Sequence, residues 1–245
     1  MKQQSFARVA WETKKTRREI FLEDMERIVP WTEMVERIER YYPKGEDGRP
    51  PKGWERMLRI YLMQLWFNPS DPGMEDRIYE RESVRRFAGI ELGEETGPDE
   101  STIVRFRHLL EQHELAEQLF DHVGRDLEQR GLLVRSGTIV DATRIATPPS
   151  TQHRAQARDP DMTQTKQGNA WSFGMKMHIG TDLRGIVHTT VATTAAVHDA
   201  QVLEDCLHGE ERAIYGNRAD ADEARRRSCS RRREHWRVAK KAPRG

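Results

Sequence analysis

The first half of the chain repeats its hydrophobic residues at intervals of three and four, which is the period of an α-helix. These stretches are separated by breaks rich in Gly, Pro or polar residues and cover residues 21–41, 54–65, 74–87, 103–113 and 115–130. Pro30 divides the first stretch into two short helices, because proline does not fit a helix interior. Asp99 is a candidate N-cap for the fourth stretch. We therefore predict a helical region that ends near Leu133.

After Leu133 the helical period gives way to alternation, which is typical of β-strands. Hydrophobic and polar residues alternate from Trp171 to Ile179, and a turn leads to a second β-rich run, so this pair predicts a hairpin. The remaining segments are the second hairpin strand at 186–194, a β-branched run at 138–143, a helix at 199–207 and a strand at 212–217. The order strand, hairpin, helix, strand predicts an α/β arrangement, a mixed sheet with a helix packed against it.

Two segments have unusual compositions. Residues 147–169 are rich in Pro, Thr, Gln, Arg and Asp, and we expect an exposed loop there. From Arg218 onward, eleven Arg or Lys residues stand against four Asp or Glu residues. Such a cluster either contacts phosphates or forms a poorly folded basic tail. With these elements we predict a helical domain at 1–133 and an α/β domain at 134–245.

Composition narrows the class of protein. The 245 residues are 36% hydrophobic and 33% charged, with 41 Lys+Arg against 40 Asp+Glu and a net charge of +1. This balance excludes a histone-like overall attraction to DNA. No apolar stretch approaches the roughly 18 residues of a membrane span, and we find no secretory signal. Because Cys206 and Cys229 have neither metal-ligand spacing nor the density of a disulfide scaffold, we expect a soluble, cytoplasmic protein.

The helix predicted at 103–113 carries a cluster of arginines that includes Arg105 and Arg107. Short helices joined by tight turns, one of them bearing arginines, are typical of helical DNA-docking domains. The same residues also fit a helical bundle whose arginines are simply solvated. The spacing alone leaves both interpretations open.

Asp141 ends the first predicted strand, where an α/β sheet presents functional side chains. Two-metal phosphoryl transfer requires two or three convergent carboxylates, because hard divalent cations prefer charged oxygen ligands. A second acid at the end of the strand at 212–217 would supply half of that site, but Asn217 stands there. Since aspartate is also common at strand ends, Asp141 alone does not establish a metal site.

Other polar residues of the second half are weaker candidates. Lys166 and Lys176 either approach a phosphate or belong to the polar face of a strand. His178, His188 and His198 are spaced ten apart, a spacing that has no fixed geometry across a hairpin. They do not predict a zinc site.

The chain also carries a series of short motifs in a defined order. They are Val140-Asp141-Ala142-Thr143, 149–151, 158–162, 164–169, 171–180, 197–199 and 207–211, preceded in the helical half by 16–19, 29–31, 48–51 and 99–102. Taken together, this series resembles the bacterial insertion-sequence transposases of the DDE class, in the family called insertion sequence five. The resemblance covers nearly the whole chain.

The resemblance implies an RNase H-like catalytic domain at 134–245 that binds two Mg²⁺ ions. Its acids would activate water and then a DNA 3′-hydroxyl for attack on phosphodiesters, with Asp141 as the first catalytic Asp and a metal ligand. The helical domain would bind the terminal inverted repeats of the element. The partner is therefore double-stranded DNA, as element ends and as target, in a bacterial protein that is associated with the nucleoid when bound. Neither a membrane nor a small-molecule substrate is implied, and a homo-oligomer is left open.

Within this interpretation we expect four basic side chains to contact DNA. They are Arg105, Arg107, Lys166 and Lys176.

The sequence departs from the family pattern at the acids. The family has Gly-Asp followed by two residues and Tyr, and here the Asp position is Asn217 and the Tyr position is Asp220. The family's catalytic Glu lies on a later helix, tens of residues beyond residue 245, so the third acid is absent. Glu234 stands only seventeen residues after Asn217 and does not take that place. We expect a truncated, degenerate transposase that has lost DNA cleavage and strand transfer or retains them poorly; the alternative is a non-catalytic DNA-binding remnant that occupies element ends.

Overall fold

Helices form the first part of the chain and a sheet forms the second. The computed structural model describes residues 15–43, 53–91, 96–146, 162–167, 170–217, 226–227 and 235–238. The chain divides into two compact units, Met1–Val123 and Gly124–Gly245, which we describe in turn. None of the helices within the described ranges has the length and hydrophobicity needed to cross a membrane.

The helices follow the predicted hydrophobic period. Their bounds are α1 Arg17–Ile28, α2 Trp31–Glu39, α3 Trp54–Phe67, α4 Asp71–Glu80, α5 Glu82–Ala88, α6 Glu100–Gln112 and α7 Leu115–Gln129. The predicted break at Pro30 is confirmed between α1 and α2. Asp99 is the N-cap of α6, and hydrogen bonds from Thr102 and Ser101 lower the pKa of Asp99 to about 2. The cap is therefore ionised at neutral pH, as suits the positive end of a helix.

The segment predicted as one helix at 74–87 is two helices. The backbone of Arg81 is extended, with φ −118° and ψ 113°, and this residue ends α4 and starts α5. Neither Gly nor Pro marks the break, so the sequence pattern carries no signal for it.

The apolar faces of these helices form one core in the first unit. Its fully buried side chains include Ile38, Leu58, Ile60, Met63, Ile78, Leu110 and Leu115. Aromatic rings close its edge in edge-to-face pairs, with 5.3 Å between the ring centres of Phe21 and Trp66 and 5.7 Å between those of Trp31 and Phe87. These helices bury their hydrophobic stripes mainly against one another.

The second unit contains a six-stranded sheet in its described residues. The elements are β1 Gly137–Ala146, β2 Thr163–Gln167, β3 Ala170–Thr181, β4 Val187–Thr194, α8 Asp199–Val202, a 3₁₀ turn Glu204–Cys206, β5 Ala213–Gly216 and β6 His235–Val238. β3 runs antiparallel to β1 and β4, whereas β5 runs parallel to β1, and β6 runs parallel to β5. The order β4-β3-β1-β5-β6, with β2 paired to the first part of β3, confirms the predicted mixed sheet.

Alternate residues of β1 show which face of the sheet is packed. Thr138 and Val140 are buried on the face covered by α8 and the 3₁₀ turn, whereas Ile139 and Asp141 point the other way and are exposed. The turn packs directly against β3 at Gly180, where a Cβ atom would lie 2.3 Å from a backbone oxygen of the turn. Asp141 therefore lies on the more exposed face.

Four expectations for the second unit need correction. The strand expected to end at Asp141 continues to Ala146, so Asp141 lies in its middle. The segment 147–169, expected to be a loop, contains strand β2 in its described part. The helix expected at 199–207 ends at Val202 and is followed by the short 3₁₀ turn. The basic segment after Arg218 contains strand β6, whose Val238 is buried. Most of that segment, including Asp220, Cys229 and Glu234, lies outside the described residues.

Candidate functional site

Asp141 lies in the middle of β1, and Asn217 directly follows β5, the parallel strand beside β1. The last pair of the β1–β5 ladder is Ile139–Tyr215, and each of the two polar residues follows two positions later. Residues two apart on a strand point to the same face, and neighbouring strands lie about 4.8 Å apart. Continued for two residues past the ladder, this register would place Asn217 beside Asp141 on the exposed face, at the carboxyl end of β5.

The donor atoms at this position are oxygens that a hard divalent cation prefers. Both Asp141 and Asn217 are exposed, and Oδ1 of Asp141 accepts a hydrogen bond from the Ala142 amide at 2.9 Å. The two side chains fit Mg²⁺ by ligand type, but only one of them carries charge. Among the described residues there is no group of three or more His, Cys, Asp or Glu side chains placed to hold a metal ion.

Lys176 lies on the opposite face of the sheet from Asp141. The register pairs it with Arg144, three positions from Asp141 on β1 and therefore on the other face. Its side chain is only 11% exposed, and Nζ donates to the carbonyl of Val197 at 2.6 Å and to Oδ1 of Asp199 at 2.8 Å. These two bonds connect β3 to the start of α8 and occupy the ammonium group. Lys176, which the sequence predicted to contact DNA, is therefore not among the proposed DNA contacts.

The three histidines spaced ten apart point to separate partners. Nε2 of His178 lies 3.0 Å from Oγ1 of Thr193, and Nε2 of His188 lies 3.2 Å from Oγ1 of Thr138. His198 is exposed and is the N-cap of α8. Burial lowers the pKa of both His178 and His188, which favours their neutral forms.

The predicted DNA-contacting arginines differ in their surroundings. Arg105 is exposed on α6, whereas Arg107 is 37% exposed and donates to Oδ1 of Asp71, the first residue of α4. Hydrogen bonds from Gln64 and Arg107 lower the pKa of Asp71 against the effect of its burial. Lys166 lies on β2, and its side chain lies outside the described part of the structure.

Sequence reasoning gave no role to two buried carboxylates. Asp182 accepts hydrogen bonds from two backbone amides of the β3–β4 turn and from the amide of Val134, which precedes β1. Glu211 is buried two residues before β5. The sequence offered two clues. Asp182 lies in a predicted turn, and Glu211 directly precedes a predicted strand. Neither clue predicts burial, because acidic residues at such positions are usually solvated.

Each of the two parts of the chain matches a known protein family. Residues 9–109 match the family described as Transposase domain (DUF772), and residues 133–239 match the family described as Transposase DDE domain. Among solved structures, the chain is similar to a chain in the crystal structure of the Mos1 Strand Transfer Complex. That match has 16% sequence identity and a TM-score of 0.25, and it covers 96% of this chain and 75% of the other.

The two family matches take in most of the helical part and the described strands of the sheet, and both define a transposase. The chain belongs to the DDE transposases of insertion sequences. The activity of this family is DNA cleavage and strand transfer, and it normally uses divalent metal ions.

Proposed function

We propose that this chain binds the ends of its insertion sequence as a transposase of the insertion sequence five family and that its own strand-transfer activity is lost or severely reduced. The observation that carries the proposal is the register of β1 and β5, which directs the asparagine that follows β5 toward Asp141 of β1, where the family has a second aspartate. An amide oxygen can coordinate Mg²⁺, but it brings no negative charge.

Among the described residues, the proposed site has one charged metal ligand, Asp141, with the amide oxygen of Asn217 beside it. A bound Mg²⁺ would supply Lewis-acid chemistry at a phosphodiester. The protein's part is to hold the two oxygens together beside the carboxyl end of β5. With one carboxylate instead of two or three, the affinity for the metal is expected to be low.

The helical domain, which we assign to 1–133, is proposed to bind the terminal inverted repeats, with Arg105 and Arg107 in contact with phosphates. Exposed arginine on α6 supports this assignment. The domain at 134–245 would carry the metal site and act on DNA in the bacterial cytoplasm. Lys166 remains a proposed contact on β2.

The metal part of the proposal is tested by measuring Mn²⁺ binding to the full chain by electron paramagnetic resonance. The variants are Asn217→Asp, which adds the second carboxylate, and Asp141→Asn, which removes the first. We expect Asn217→Asp to raise Mn²⁺ affinity by about tenfold, and Asp141→Asn to abolish the increase when it is added. Equal Mn²⁺ affinity in all variants would show that the metal does not bind at residues 141 and 217.

Strand transfer is measured in parallel with a duplex that carries the element's own terminal sequence. The unmodified chain is expected to bind this duplex and retard it in a mobility-shift assay. It is expected to form no joined product with Mg²⁺ or Mn²⁺. Joined product from the unmodified chain contradicts the loss of activity. Absence of binding to the duplex contradicts the assignment of the helical domain.

A further inference from the structure

Glu211 is a buried carboxylate that the proposed metal site does not use. Its side chain is 2% exposed, and its oxygens face donors from two parts of the second unit. Oε1 accepts hydrogen bonds from Oγ1 of Thr138 at 3.1 Å and from the amide of His208 at 2.7 Å, and Oε2 accepts from the amide of Gly209 at 2.9 Å. Nε2 of His208 lies 3.5 Å from Oε1.

These hydrogen bonds connect β1, which carries Asp141, to the segment that leads into β5, which Asn217 follows. Thr138 lies on β1, three residues before Asp141, and is fully buried. Glu211 stands two residues before β5, in the loop that leads into that strand, and Asn217 follows the strand's last residue. The carboxylate thus joins β1 to the start of β5 on the packed face of the sheet, opposite the face that presents the proposed ligands.

The backbone pairing between β1 and β5 is short. It contains three residue pairs, from Gly137–Ala213 to Ile139–Tyr215. A slip of one residue in such a ladder turns every following side chain to the other face. The bond from Thr138 to Glu211 opposes such a slip, because it fixes the position of the β5 entry along β1.

The charge of this carboxylate is balanced by its donors. Burial acts to raise the pKa of Glu211, but hydrogen bonds from the His208 amide and from Thr138 outweigh burial and lower it. An ionised acceptor makes stronger hydrogen bonds than a neutral one. The link between the strands is therefore strong at neutral pH.

We propose that Glu211 is a positioning residue of the metal site, which sets β1 against β5 and so fixes the separation of Asp141 from residue 217. This inference rests on the proposed function, since it concerns the same site. Residues that orient metal ligands from a distance typically change metal affinity by about 10- to 100-fold when they are lost.

The experiment uses the full chain with Asn217→Asp, in which two carboxylates are available to bind Mn²⁺. Glu211→Ala is added to this background, and Mn²⁺ affinity is measured at a temperature at which circular dichroism shows the variant folded. We expect a loss of about tenfold or more. Glu211→Gln keeps an acceptor oxygen for Thr138 and is expected to recover most of the affinity.

The matched control is Glu210→Gln, the adjacent residue, whose side chain is 69% exposed. Its Mn²⁺ affinity is expected to equal that of the parent. If Glu211→Ala does not fold, Thr138→Val tests the same link by removing only the hydroxyl group, with the same expected loss. A folded Glu211→Ala or Thr138→Val with parental Mn²⁺ affinity overturns the inference.

Asp141→Asn in the same background separates this inference from the proposed function. If that change leaves Mn²⁺ affinity intact, the metal does not bind at these strand ends and the proposed function fails. If Asp141→Asn weakens binding while the variants of Glu211 and Thr138 do not, only the positioning role fails. Amide hydrogen exchange at 137–139 and 213–215 supplies a metal-free readout, and faster exchange in Glu211→Ala is expected.

Discussion

At the residue scale, the exchange of a carboxylate for an amide preserves the shape of a side chain and removes one negative charge. Two unit charges 4 Å apart interact by about 4 kcal/mol at an effective dielectric constant of 20. Because an asparagine and an aspartate have the same shape, Asn217 can occupy the position of an aspartate after β5 without disturbing the sheet. Its effect is expected on the binding of a cation and not on the fold.

Arg59 of α3 shows how one charged side chain can be held at the edge of the helical core. Its guanidinium group lies 4.1 Å from the ring centre of Trp31 and 5.2 Å from that of Phe87. It also donates to carboxylate oxygens of Glu26 and Glu55. A lysine keeps the charge but has neither the planar fork nor the stacking surface, so Arg59→Lys is expected to lower the free energy of unfolding by about 1–2 kcal/mol.

The measurement is urea denaturation of the full chain, followed by tryptophan fluorescence and circular dichroism. Arg27→Lys is the matched control, because Arg27 is 76% exposed and pairs with Asp24 on the same helix. That control is expected to change stability by less than about 0.5 kcal/mol. Equal effects of the two substitutions would show that the stacking and the paired carboxylates contribute nothing specific.

At the element scale, the regular hydrophobic patterns predicted the structure well. The period of three and four found the helices, and strict alternation found the hairpin of β3 and β4, because each pattern follows directly from one buried face. β2 was missed because Thr163–Gln167 is polar and pairs with β3 through its backbone. The break at Arg81 was missed because no Gly or Pro marks it, although the backbone there is extended.

The residues of the candidate site also divide into those whose positions the sequence predicts and those whose positions it does not. Asn217 could be assigned to the end of a strand from the sequence, whereas Asp141, expected at a strand end, lies in the middle of β1. The burial of Lys176 could not be predicted, because its commitment to Asp199 depends on how α8 folds onto β3. The contact between Glu211 and Thr138 joins residues 73 positions apart, and only the tertiary fold determines such a pair.

The β3–β4 hairpin depends on Asp182, whose residue is fully buried. Its carboxylate accepts hydrogen bonds from the amides of Val134, Arg184 and Ile186 at 2.8–3.1 Å. Burial acts to raise the pKa of Asp182, but the three amides outweigh it and the pKa is lowered. A lowered folded-state pKa stabilises the protein above the unfolded value and loses that stabilisation as pH falls through the folded value.

We therefore expect Asp182→Asn to lower the free energy of unfolding by about 2 kcal/mol at pH 7. The difference between the variant and the parent should shrink as pH falls below about 4, because the parent's carboxylate then becomes protonated. Denaturation at a series of pH values measures this difference. Asp205→Asn, at an exposed position of the 3₁₀ turn, is the control and should follow the parent throughout. A difference for Asp182→Asn that does not vary with pH contradicts this account.

At the scale of the whole molecule, a net charge of +1 provides no general attraction to DNA. The proposed binding to element ends must then come from local groups of basic residues whose contacts with phosphates release counterions. A protein of this kind is expected to bind weakly to nonspecific duplex and to lose affinity steeply as salt rises.

The last prediction concerns Arg105, the exposed arginine of α6. Affinity for a duplex with the element's terminal sequence is measured by fluorescence anisotropy between 50 and about 200 mM salt. Arg105→Ala is expected to weaken binding and to reduce the slope of log affinity against log salt by about 1, because one phosphate contact is lost. Arg107→Ala should weaken binding less, since this side chain is already shared with Asp71. Arg130→Ala, which removes a partner of Asp126 on α7, is the control for a general loss of positive charge. If the slope is near zero, or if Arg130→Ala matches Arg105→Ala, α6 is not the surface that contacts DNA.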